Sequence, residues 1–88
     1  MSDPLRREDA LVDADTLPPP HIRRQLRIAA NLTQEEVAEA LGVRRLAVVG
    51  WEAGRTQPHR SNRLKYAEFL RGLAKEHPAV AQGGPHED

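Results

Sequence analysis

Thr33-Gln-Glu-Glu-Val-Ala-Glu-Ala-Leu-Gly-Val-Arg-Arg-Leu-Ala-Val-Val-Gly-Trp-Glu52 reads as two short helices joined by a tight turn. Thr33 is placed to cap the first helix while Glu36, three residues on, reaches back to the amide of Thr33. Two backbone donors that lack intrahelical partners are thereby satisfied reciprocally. Val37, Ala38 and Leu41 then share one face. Gly42 follows where a helix commonly stops in the left-handed conformation, which residues with a Cβ enter only with strain. Val43 is positioned to fill the angle between the helices. Ala47, Val48 and Trp51 recur at helical spacing, so the second helix is expected over roughly residues 45–53, ending at Gly54.

Outward from this stretch, residues 21–30 have a helical pattern with Ile22, Leu26 and Ala29 or Ala30 along one side and Arg23, Arg24 and Gln25 pointing away. Asn31 falls where a left-handed residue would end that helix. Arg55-Thr56-Gln57-Pro58 forms a loop, and a last helix is expected to begin near Ser61 as its cap. That helix would carry Leu64, Ala67, Leu70, Leu73 and Ala74 inward, with Tyr66 and Phe69 flanking, and end before Pro78. Pro18-Pro19-Pro20 is a stiff extended break, which sets a domain boundary. Residues 1–17 are expected to be a flexible acidic arm, 18–77 the folded domain and 78–88 a flexible tail, since Ala81-Gln-Gly-Gly-Pro85 has no periodicity. Within the arm, a weak helix starting at Asp3-Pro4 would have only Leu5, Leu11 and Val12 to fix it, so a mobile segment fits better.

Composition narrows the function classes. Eighty-eight residues allow one small core, and the absence of cysteine excludes disulfides and thiolate chemistry. The longest apolar run, Leu46 to Val49, is far below the roughly 20 residues of a membrane-spanning helix. Arg6-Arg7-Glu8-Asp9 has no apolar stretch behind it and does not resemble a signal peptide, so a cytoplasmic location is expected. Thirteen Lys and Arg balance thirteen Asp and Glu, but the charges are segregated. Residues 1–17 carry −3 and residues 78–88 carry −2, while residues 18–77 hold eleven cations against six anions, a balance of +5. A basic body between acidic tails keeps nucleic acid among the expected partners.

Thr33-Gln34, Val37-Ala38, Leu41-Gly42-Val43, Val48, Trp51-Glu52, Gly54 and Pro58 together resemble the phage-repressor-like helix-turn-helix domains of the Cro and Xre type, over about residues 22–74. The resemblance implies an all-α, compact, lambda-repressor-like bundle of four to five helices. It further implies a bacterial, nucleoid-associated transcriptional regulator that lays its third helix in the major groove of double-stranded DNA, as a homodimer on a near-palindromic site, with a monomer or a subunit recruited by a larger protein as the alternatives. An ion pair between Arg27 and Glu52 is implied as well. By position, Gln34 at the start of helix two would meet a phosphate, as helix N-termini favour negative charge. Arg44 and Arg45 would contact base edges, because a guanidinium fork matches the acceptors of guanine, or would grip phosphate. Arg55, Thr56 and Gln57 would meet the backbone of the same half-site, with Arg60, Arg63 and Lys65 nearby. Arg23 and Arg24 could extend this basic rim.

This chain departs from the family at two places. Arg44 stands where the family usually has a capping Ser or Thr, forgoing roughly 1 kcal/mol of cap energy. Leu46, Val49 and Gly50 occupy positions where the family usually presents polar groups. Leu46 and Val49 could touch thymine methyl groups and Gly50 could admit the DNA backbone, or the apolar stripe could bind a protein partner, with the acidic arm as a second contact. Other chemistry has little support. The four histidines have no i, i+4 partners, so no metal site or other cofactor is expected. Two serines, Ser2 and Ser61, make a catalytic triad implausible, and Glu35, Glu36 and Glu39 read as a solvated face rather than catalytic residues. Neither an enzyme nor a small-molecule ligand is expected.

Overall fold

The structure is a computed structural model that describes residues 14–83. The weak helix considered near Asp3 and residues 84–88 of the tail lie outside the described residues. Among the described residues five helices follow one another: α1 (Pro20–Ala29), α2 (Gln34–Leu41), α3 (Arg45–Ala53), α4 (Arg60–Glu76) and α5 (Pro78–Ala81). No strand occurs among the described residues, and none of the helices is long and apolar enough to cross a membrane. The fold is all-α, as expected.

Local chemistry sets the helix ends. Pro20 opens α1 at its first position, where a missing N–H costs nothing, and the Ile22 and Arg23 amides donate to Pro19 O. The capping box of α2 is complete: Glu36 N donates to Thr33 Oγ1 at 3.0 Å and Thr33 N to Glu36 Oε1 at 2.9 Å. The first three helices stop in the same way. Asn31, Gly42 and Gly54 have φ of 63°, 71° and 74°. The amide after each reaches back into its helix, Leu32 N to Arg27 O, Val43 N to Ala38 O and Arg55 N to Gly50 O, all near 3 Å. One residue in the left-handed region thus satisfies the last carbonyls and reverses the chain.

The core draws Ile22 and Leu26 from α1, Val37, Ala38 and Leu41 from α2, Val48 and Trp51 from α3, and Tyr66, Leu70 and Leu73 from α4. Val43 packs partly buried between α2 and α3, whose mutual contact is the most extensive in the molecule. The face of α4 is turned relative to the sequence expectation: Tyr66 is 1% exposed and Leu64 39%. Two residues apart on a helix means about 200° around its axis, so only one of them can face inward. Tyr66 does so because its ring meets Trp51 at 4.9 Å between centroids with a 38° tilt.

One further expectation is corrected, and segments on either side of residues 18–77 pack on the domain. His59, without a side-chain cap, precedes α4, and Ser61 is its exposed second residue. Pro78 opens the single turn α5, whose Val80 and Ala81 pack on the core beside α1 and α4. The inner end of the arm is also attached. Leu17 packs against the core, Asp15 pairs with Arg63 Nη2 at 3.1 Å, and Arg71 Nη1 donates to Ala14 O.

Candidate nucleic-acid interface

The interface is built around the two ends of α3. At its leading end, Arg44 is the extended N-cap residue and makes no side-chain cap, as its chemistry requires. Arg44, Arg45 and Leu46 all stand in solvent, Leu46 with 70% of its surface exposed. The opposite face of the helix is anchored by Val48 at 0% and Trp51 at 4% exposure. The rod is therefore held along one side and free along the other.

At its trailing end, α3 is fastened by charge. Arg27 Nε donates to Glu52 Oε2 at 2.6 Å and Nη2 to Oε1 at 3.0 Å, a bidentate pair with both side chains largely out of water. The same guanidinium donates to Leu32 O, and Gln34 Nε2 adds a bond to Glu52 Oε1 at 3.1 Å. One buried carboxylate thus joins α1, the start of α2 and the end of α3. Four donors' worth of fixed geometry set the angle at which α3 leaves α2.

Arg23 was expected on the outer rim, but it is 6% exposed. Its Nε donates to Pro18 O at 2.7 Å and its Nη1 to Trp51 O at 3.0 Å. A cation at the C-terminal end of α3 meets the negative end of the helix dipole, and this draws the side chain inward. Burial lowers its pKa, and the neighbouring Tyr66 opposes that shift. The Tyr66 hydroxyl lies beside this charged layer without a hydrogen-bond partner among the described residues. Burial, then the Glu52 charge, push its pKa above the ordinary phenol range, against the pull of Arg23 and Arg27.

Two expected contact residues, Gly50 and Gln34, have partners within the domain. Gly50 is buried, and a Cβ placed there would sit 2.5 Å from Thr56 Oγ1. The glycine admits the loop after α3, and the amides of Arg55 and Thr56 both donate to its carbonyl. The side-chain amide of Gln34 is held by Glu52. Arg55, Thr56 and Gln57 are exposed on the loop, and Val49 is half-buried. Arg24, Gln34, Val49, Glu52 and Ala53 line a hollow where α1, the N-terminus of α2 and α3 meet. Of these, Arg24 is exposed. Sequence reasoning missed Arg23 as a clamp and Thr56 as the cover of Gly50, since neither contact leaves a periodic signal.

A family described as helix-turn-helix matches residues 24–73, more than half of the chain. The chain belongs to the helix-turn-helix family of the Cro and Xre type. No curated protein and no solved structure matches it. Helix-turn-helix domains of this family are DNA-binding rather than enzymatic, and here α2 and α3 are the paired helices. The helix-turn-helix presents Arg44, Arg45 and Leu46 at the end of α3 that such domains direct toward base edges.

Proposed function

We propose that this protein is a sequence-specific DNA-binding transcriptional regulator of bacterial type that inserts α3 into the major groove. The observation that carries the proposal is the exposed leading end of α3, with two arginines and a leucine on a helix whose other side is locked by Val48, Trp51 and the Glu52 network. Arg44 and Arg45 reach base edges or flanking phosphates, while the α2 N-terminus, Arg55, Thr56 and Gln57 hold the backbone on either side. A small domain with few contacts binds a single half-site weakly. Two copies on a near-palindrome, in the cytoplasm, supply the rest.

Changing Arg44 and Arg45 together to Glu is expected to abolish binding to duplex DNA in dilute salt while leaving the helical content unchanged. Retained affinity would discard the groove-reading model. Each phosphate-contacting cation removed should lower the slope of log affinity against log salt by about one unit.

The exposure of Leu46 supports a second reading, a protein-interaction module on the same fold. On that reading Leu46→Asp disrupts a partner complex, and charge reversal at Arg44 and Arg45 leaves that complex intact.

A further inference from the structure

Resting on the DNA-binding reading, we infer that α3 selects a pyrimidine with a C5-methyl group next to guanine, and that Leu46 is the residue that detects the methyl. The polar means of reading bases are few on this helix. Gly50 is covered by Thr56, and the Gln34 amide is held by Glu52. Leu46, Val49 and Ala53 carry no polar side-chain atom. Arg44 and Arg45 remain, both exposed and without a side-chain hydrogen bond or ion pair among the described residues.

Leu46 adds what the arginines lack. It lies in the first turn of α3, the part that approaches base edges most closely, and 70% of its surface faces solvent. Covering that surface is favourable, and the apolar group that the major groove displays is the C5-methyl of thymine, which 5-methylcytosine shares. Charge complementarity selects DNA over a protein as the occupant. An apolar protein surface closing on Leu46 would desolvate the adjacent guanidiniums of Arg44 and Arg45, whereas a duplex offers them guanine acceptors and phosphates. Arginine on guanine beside leucine on a methyl is the combination these three consecutive residues can make.

The test starts with a duplex selected by the full chain from a random pool. Each thymine of the half-site is replaced in turn by deoxyuridine, which keeps the pairing and removes the methyl. At one or two positions the affinity of the wild-type chain should fall about fourfold per methyl. Leu46→Ala, an exposed change that circular dichroism can verify as folded, should bind the thymine and uracil duplexes alike. Cytosine and then 5-methylcytosine at the same position separate the two sources of the group. Recovery on methylation shows that the methyl suffices, and a uracil effect without recovery assigns the preference to thymine. Equal affinity of the wild-type chain for thymine and uracil duplexes overturns the inference while the DNA-binding reading stands, as does a uracil effect that persists in Leu46→Ala. Failure to enrich any duplex overturns both.

Discussion

Tyr66 is the sole tyrosine of the chain, and its hydroxyl is buried beside Arg23, Arg27 and Glu52 with no hydrogen-bond partner among the described residues. An unsatisfied buried hydroxyl opposes folding, so Tyr66→Phe should stabilise the protein by about 1–2 kcal/mol in urea titrations at neutral pH. The pH dependence follows from the raised phenol pKa. Near pH 10 the unfolded chain releases this proton while the folded chain keeps it, so the ionisation of Tyr66 leaves stability unchanged below about pH 10 and lowers it above. Tyr66→Phe should remove that decline, and the native phenolate absorbance should stay flat through pH 10. Gly50 makes a second test at this scale. With Thr56→Ala already in place, Gly50→Ala should raise the melting temperature, because the helix gains about 1 kcal/mol once the 2.5 Å clash is gone. An unchanged or lower value would mean that the glycine serves something other than the loop.

The helix ends and the buried ion pair carry the precision of the interface. No heavy atom lies within 4 Å of a Cβ added at Gly42, yet its φ is 71°. Gly42→Ala should therefore cost about 1–2 kcal/mol through backbone strain alone, read as a lower urea midpoint at unchanged slope. Arg27→Ala should cost about 3 kcal/mol or more, because it strands the Glu52 carboxylate, softened only by Gln34. These elements were legible in advance because their signals are local. Capping boxes, left-handed stops and i, i+3, i+4 spacing lie within a few residues of one another, so α2 and α3 were read with the bounds observed. The turned face of α4 was not legible, since Leu64 and Tyr66 both fit a helical stripe and only the Trp51 ring across the core decides between them. The single turn α5 is too short to show periodicity at all.

At the scale of the whole molecule, charge is the organising feature. Asp15 on Arg63 shows the acidic side of the arm meeting the basic body through its innermost charge. Residues 1–13 hold four acids against two arginines. Removing them should raise affinity for random duplex DNA at low salt and make no difference at high salt, and equal affinity at low salt would free the arm of this role. The candidate site was legible as an address rather than as a set of contacts. Its position on α3 came from the motif, whereas the inward turns of Arg23, Gln34 and Gly50 depend on partners 18 to 28 residues away or on a loop of no fixed pattern. The most direct measurement is a heteronuclear NMR titration of the full chain with its selected duplex. The largest amide shifts are expected at Arg44–Val49, smaller ones at the start of α2 and at Arg55–Gln57, and little change from Leu73 to Val80. Shifts centred away from α3, or none, would contradict the groove-reading model.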